Sequence, residues 1–288
     1  MAVTDLSALQ RASGAFAMLA VDQREALRTM LAQHRSDRVS DEEVRDFKLT
    51  AARALTPYAS GVLIDRQFAW DAAIEHQVTS PDCGLIAAAD HFEPAHGELV
   101  GKVTIDREVD PGRYKAAGAV ALKLLVLYRP DEDPSGRVSM VGEFVRMCRE
   151  HALISIIEPV SRAPVAGGDH DWEAGVLAAA TELGSLGADL YKAEVPTRGQ
   201  GSEAEIRRGC AALSATIDGP WVVLSSGVPP ERFADAVRLA CMEGARGFLA
   251  GRAVWAACIG SDDMTQCLTS AAVRRLQRLC DVVDEAVA

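Results

Sequence analysis

The chain has 288 residues, 49% hydrophobic and 25% charged, the balance of a globular protein with a large core, which excludes disorder. A formal net charge of −11 speaks against a nucleic-acid surface, because a polyanion needs Lys and Arg gathered on one face. The N-terminus "MAVTDLSALQRASG" carries no basic segment followed by an apolar one, and no apolar run approaches the roughly 18 residues of a membrane span. A cytoplasmic protein without nucleic-acid or membrane partners is therefore expected.

Eight short apolar runs alternate with longer amphipathic stretches, and no linker or low-complexity tract divides them, so one domain over residues 1–288 is expected. The first run, "AFAMLAVD" (Ala15 to Asp22), ends in an acid and is followed by Gln23 and Arg24. "SDEEVRDFKLTAARALTPYA" then has helical spacing and opens with the capping-box pair Ser40 and Glu43. "GVLID" and "GLIAAAD" end in Asp65 and Asp90. Each of these acids could equally serve as a helix cap or the partner of a nearby base.

The fourth run, "VALKLLVLY", holds Lys123 among apolar residues, and the fifth, "LISIIEP", closes on Glu158. The sixth, "DLYKAEVP", holds Lys192. After "WVVLSSG" a helix is expected from about Pro229, and after "GFLAG" a short apolar helix. Ser226 with Gly227, and Gly251 with Arg252, are thereby placed at two successive turns. A last helix is expected over about Met264 to Ala286.

Near-continuous apolar strands suit a parallel sheet covered by helices. Eight of them, without a G-x-G-x-x-G nucleotide fingerprint, predict an α/β fold of the (β/α)8 TIM-barrel type rather than a doubly wound sheet. In such a barrel chemistry sits at the C-terminal ends of the strands, where these polar residues fall.

Lys123 and Lys192 need explaining, since an ammonium is costly to bury unless it is paired or loses its proton. On alternate strands they can share one layer of the lumen. There, like charge and desolvation are expected to lower the pKa of at least one of them. A neutral lysine amine attacks a ketone to form a Schiff base, and Glu158 is placed to move protons. The turns at Ser226–Gly227 and Gly251–Arg252 occupy the usual phosphate position of this fold, with Arg252 adding a charge. Gln23 and Arg24 offer a second anion subsite.

The six histidines show no metal-binding spacing, so neither a metal nor a cofactor is expected. The seven cysteines (Cys83, Cys148, Cys210, Cys241, Cys258, Cys267, Cys280) are scattered and never form C-x-x-C, and are expected to be reduced core thiols.

The blocks "SGAFAMLAVDQREALR", "ALKLLVLYRPDED", "LISIIEPV", "GADLYKAE", "WVVLSSGV" and "GFLAGRAVWA" resemble the class I aldolases related to tagatose 1,6-bisphosphate aldolase, and within them the sulfofructosephosphate aldolases. The resemblance runs from about Gly14 to about Glu285. It implies a metal-free barrel, a homo-oligomer, that cleaves a phosphorylated ketose bearing a second anionic group. For the sulfofructose type this is 6-deoxy-6-sulfofructose 1-phosphate, giving dihydroxyacetone phosphate and 3-sulfolactaldehyde. It also implies Lys192 as the Schiff-base lysine, Glu158 as the acid/base, and Asp22 and Lys123 beside them. Ser226, Gly227, Gly251 and Arg252 would hold one anionic end, with Gln23 and Arg24 toward the other. Two loops, "DHFEPAHG" and "SRAPVAGGDHDW", depart from the family pattern. The alternatives are a tagatose or fructose 1,6-bisphosphate aldolase with the same chemistry, and a silent barrel that only binds sugar phosphates.

Overall fold

The computed structural model describes residues 5–287; residues 1–4 of the N-terminal stretch read for a targeting signal lie outside them. In chain order the strands are β1 (Phe16–Ala20), β2 (Gly61–Ile64), β3 (Gly84–Ala88), β4 (Asp90–Ala95), β5 (Glu98–Ile105), β6 (Ala119–Tyr128), β7 (Ile154–Ser161), β8 (Leu190–Ala193), β9 (Trp221–Val223) and β10 (Gly247–Ala250). Eight of them close a parallel barrel in the order β1, β10, β9, β8, β7, β6, β3, β2. Each of the eight apolar runs supplies one barrel strand, so the expected (β/α)8 architecture is the observed one.

Alternation along the strands decides what enters the lumen. Met18 and Ala20 of β1, Ile86 and Ala88 of β3, Ala121 of β6, Ile154 and Ile156 of β7, Leu190 of β8 and Leu249 of β10 form an interior cluster of their own. The opposite faces join the helices in a second, larger core. Two residues on from these interior positions come Asp22, Asp90, Lys123, Glu158 and Lys192. A period of two therefore carries the acids and lysines to the C-terminal mouth on the same side as the interior apolar layers.

The helices follow their end signals. Helix α1 (Glu25–Ala32) precedes α2 (Asp41–Leu55), which has the capping box expected from Ser40 and Glu43. The short α3 (Trp70–Glu75) and α4 (Pro111–Ala116) were not expected. α5 (Pro134–Glu150), α6 (Trp172–Leu183) and α7 (Glu203–Thr216) lie where helical spacing places them. So does the final helical stretch, which runs from α10 (Met264–Cys267) through a π turn at Leu268–Ala272 into α11 (Val273–Val287).

Three expectations are corrected. "DHFEPAHG", read as a loop, is half of the antiparallel hairpin β4–β5, turned at His96 and Gly97, both at positive φ. α8 (Phe233–Met242) begins after a 3-10 turn at Pro230–Arg232, so its N-terminus stands six residues beyond Gly227. The short helix expected after β10 is present as α9 (Arg252–Trp255), four residues long and so too short to carry the dipole of a full helix. Cys258 and Cys267 form a disulfide, because a 3-10 turn at Ala256–Cys258 brings their Cα atoms to 5.3 Å, within bonding range. The other five cysteines are free and buried, as expected.

Candidate active site

At the mouth of the barrel a cavity of about 310 Å³ is floored by Asp22 and Glu158 and reaches Gln23, Ser226 and Arg252 at its sides. Lys192 lies against this floor: its Nζ is 2.8 Å from Glu158 Oε1, and the residue is 3% exposed. The other oxygen, Glu158 Oε2, is 2.8 Å from Lys123 Nζ. Lys123 is surrounded further by Asp22 Oδ2 at 2.8 Å and Asp90 Oδ2 at 2.9 Å. Arg24 completes the group by donating from Nη2 to Asp90 Oδ1 and from Nη1 to the Asp90 carbonyl, at 2.7 and 2.8 Å.

Three cations (Arg24, Lys123, Lys192) thus face three carboxylates (Asp22, Asp90, Glu158) in one buried chain of charges. Burial alone would disfavour the Lys123 ammonium, yet Asp22, Asp90 and Glu158 outweigh it and raise its pKa well above the ordinary value. This corrects, for Lys123, the expectation that like charge governs the pair: three carboxylates intervene, and Lys123 is a fixed cation. Burial likewise works against ionised Asp22, but the Lys123 and Lys192 ammoniums hold its carboxyl well below the usual carboxylate range.

Asp65 does not join this chain. Its Oδ1 pairs with Lys48, which is fully buried on α2 and also donates to the Val21 carbonyl at 2.7 Å, and its Oδ2 accepts from Phe68 N at 2.9 Å. Asp65 is therefore an ion-pair partner that also closes the turn before α3, whose N-cap is Ala69. Asp90, for which the same reading was open, is likewise the partner of bases, Arg24 and Lys123, but within the buried chain of charges at the mouth.

The expected anion turns are present in a reduced form. Ser226 and Arg252 line the cavity, and Arg252 is exposed with no ion pair among the described residues. Gly227 takes a positive φ of 76° and packs beneath Arg198. Gly251 is required by close approach: a Cβ there would stand 2.1 Å from the Ala20 carbonyl, which accepts from Trp255 Nε1 at 2.9 Å. With α9 short and α8 distant, these turns present Ser226 and Arg252 to the cavity without the dipole of a long helix behind them. Gln23 lines the cavity with its Oε1 buried and unpartnered, whereas both Nη atoms of Arg24 are taken by Asp90 and its guanidinium stacks on Phe92 at 4.2 Å.

Sequence reasoning missed several residues here. Phe92, Pro94, Leu99 and Val100 of the hairpin wall the cavity, and Arg162 stands at its rim. Glu194, 1% exposed, accepts from Ser161 N at 2.7 Å through Oε2 and leaves Oε1 unpartnered. Its signal was its place two residues beyond Lys192.

The closed barrel and the buried charges at its mouth fit an aldolase, and comparison with known proteins agrees. The model of the DeoC/LacD family aldolases matches residues 16–257, so the chain belongs to that family and is a carbon–carbon lyase. This overturns the alternative of a silent binding barrel. The chain is 26% identical to tagatose 1,6-diphosphate aldolase 2 of Streptococcus mutans serotype c, over 96% of this chain and 93% of that one. It is 28% identical to tagatose 1,6-diphosphate aldolase 2 of Streptococcus pyogenes serotype M1, over 84% and 81%. Its fold is shared by fructose-bisphosphate aldolase from Plasmodium falciparum (TM-score 0.67, 14% identity, 98% of this chain and 92% of that one). It is shared too by an archaeal fructose-1,6-bisphosphate aldolase solved with its catalytic Lys bound to a carbinolamine (TM-score 0.63, 15% identity, 96% of each). Among the described residues no helix is long and apolar enough to cross a membrane.

Proposed function

We propose that this chain is a class I aldolase in which Lys192 forms the Schiff base and Glu158 moves the protons. The observation that carries this reading is the single carboxylate of Glu158 held between Lys192 and Lys123 at 2.8 Å on each side. A proton passed from the Lys192 ammonium to Glu158 leaves a neutral amine and a carboxylic acid. Arg24 and Lys123 then still balance Asp22 and Asp90, so the nucleophile forms without leaving net charge in the buried floor.

Lys192 Nζ attacks the C2 ketone to give a carbinolamine, and the acid form of Glu158 protonates the departing hydroxyl, which leaves as water. The Glu158 carboxylate so formed accepts the C4 hydroxyl proton as the C3–C4 bond breaks. The bonding pair moves into the protonated imine to give an enamine, and the aldehyde departs. Protonation at C3 and hydrolysis then return dihydroxyacetone phosphate and free Lys192. Asp22 and Lys123 keep the network ionised around this exchange.

The substrate we favour is 6-deoxy-6-sulfofructose 1-phosphate, cleaved to dihydroxyacetone phosphate and 3-sulfolactaldehyde. Its support is the resemblance of the strand-end blocks and the charge at the mouth. Arg252, with Ser226, Gly227 and Gly251, serves one anion, while Arg24 is already paired with Asp90 and Gln23 presents an uncharged amide. The remaining cation of the cavity is Arg162, and one guanidinium matches a monoanionic sulfonate more nearly than a second phosphate approaching two negative charges. The second reading is a tagatose or fructose 1,6-bisphosphate aldolase, favoured by the names of the streptococcal relatives.

The test is borohydride reduction in the presence of dihydroxyacetone phosphate, followed by peptide mass spectrometry. A three-carbon adduct on the Lys192 peptide is expected, and an unmodified peptide overturns the mechanism. The ratio of kcat/KM on the sulfofructose and bisphosphate substrates decides between the two readings.

A further inference from the structure

The cationic groups lining the cavity are Arg24, Arg252 and Arg162, and they differ in what else holds them. Arg24 is locked to Asp90 through both Nη atoms. Arg162, in the loop after β7, donates from Nη1 to its neighbour's carbonyl, Ser161 O, at 3.0 Å. Among the described residues its one carboxylate ion pair is with Glu98 Oε2, 3.3 Å from Nε, which meets the distance of an ion pair without the alignment of a hydrogen bond.

Glu98 opens β5, immediately before the cavity-lining Leu99 and Val100. It has a second and firmer cation: Arg129, 2% exposed, donates from Nη2 to Glu98 Oε1 at 2.9 Å and from Nη1 to the Ala163 carbonyl at 2.5 Å. If Arg162 turned from Glu98 toward another anion, Glu98 would still be paired with Arg129. The exchange would therefore leave no carboxylate unpaired. The side chain of Arg162 is 28% exposed, against 2% for Arg129, so Arg162 is the partner free to move.

We propose that Arg162 binds the anionic group at the end of the ketose distal to the phosphate, and that Glu98 sets the selectivity of that subsite by competing for Arg162. This rests on the aldolase reading and adds a specificity residue to it. A guanidinium pairing with a sulfonate or phosphate forms charge-assisted bonds, whereas a hydroxyl at the same carbon gains little from displacing Glu98. Glu98 thereby turns a generally attractive cation into one released only by an anion.

The experiment compares kcat/KM of wild type, Arg162→Met and Glu98→Gln on 6-deoxy-6-sulfofructose 1-phosphate, fructose 1,6-bisphosphate and fructose 1-phosphate, the last lacking a distal anion. Arg162→Met is expected to lose roughly 10- to 100-fold, mostly in KM, on the two-anion substrates. It should stay within about two-fold of wild type on fructose 1-phosphate. Glu98→Gln is expected to lower KM several-fold on the two-anion substrates, a gain that misfolding cannot mimic. Equal losses on all three substrates for Arg162→Met, or no gain for Glu98→Gln, overturn the proposal while leaving the aldolase reading standing. A wild-type protein that cleaves none of the three, nor tagatose 1,6-bisphosphate, overturns both.

Discussion

Lys192 and Lys123 hold opposite oxygens of one carboxylate, Glu158, each at 2.8 Å. The two lysines are thus not equivalent. Lys123 is fixed by Asp22 and Asp90 as well, while Lys192 touches the network through Glu158. Replacing Glu158 by Gln preserves size and keeps an oxygen acceptor but removes the proton acceptor and one negative charge. A fall of about 10²- to 10⁴-fold in kcat is expected, the usual range for a general acid/base. Borohydride trapping on Lys192 should slow in parallel. Activity within ten-fold of wild type would remove Glu158 from the proton path.

Lys123 is expected to be as important to the fold as to the reaction. In Lys123→Met three carboxylates converge on Arg24 and Lys192, with Lys48 farther off beside Asp22. Removing one partner of a buried ionic group costs about 3 to 5 kcal/mol, which urea denaturation at pH 7 should show. The sign with pH follows from Asp22. Its folded pKa is depressed, so its contribution is complete above its unfolded pKa, near 3.8, and is lost progressively as the pH falls from there through the depressed folded value. The variant lacks most of this contribution, and its stability gap from wild type should narrow as the pH is lowered below about 4. A second change, Asp90→Asn, should restore part of the loss at neutral pH. A gap independent of pH and of Asp90 would mean that packing, not charge, is what Lys123 provides.

How much of this could be read from the chain depends on whether a residue's partner lies on its own strand pattern. Lys123, Glu158 and Lys192 were legible because an alternation of two fixes their face, and the fold fixes which end of the strand matters. Arg162 and Glu98 were not, since their meeting depends on a hairpin whose strand signal is weakened by Pro94 and by polar His91 and Glu93. The turn at His96–Gly97 was the one local hint. Lys48 was missed as well, though it lies four residues from Val44 and four from Ala52, both buried on the same stripe of α2. Its partner Asp65 looked like one more member of the mouth because strand-end acids are alike until the helices are placed.

That buried pair yields its own expectation. Lys48 and Asp65 are both fully buried, and Lys48 also holds the Val21 carbonyl next to Asp22. Burial depresses the Lys48 pKa, and Asp65 offsets this only in part. Lys48→Met strands the Asp65 charge, and Asp65→Asn strands the Lys48 charge, so each is expected to destabilise by about 3 to 5 kcal/mol. The double variant should lose less than the sum, with a coupling of about 1 to 3 kcal/mol in a double-mutant cycle. Additive losses would show that the two side chains do not act as a pair.

Glu194 provides the clearest pH signature. Burial pushes its carboxyl up to about 8 from an ordinary 4.5, with the neighbouring charge of Glu158 adding to the effect and the bond from Ser161 N working the other way. A raised carboxyl pKa means that between about 4.5 and 8 the folded chain holds a proton here that the unfolded chain has released. Stability must then fall as the pH rises through that window, by at most about 1.4 kcal/mol per pH unit from this one group. Below the window both states are protonated and the contribution is constant; above it both are ionised and the penalty is complete. Glu194→Gln keeps an acceptor for Ser161 N but cannot ionise, so its unfolding free energy should lack this slope. Relative to wild type the variant should gain stability from about pH 5 to pH 8 and level off above that in urea titrations. Parallel profiles for the two proteins would show that Glu194 is ionised in the fold, with Arg162 and Arg198 supplying the compensating charge.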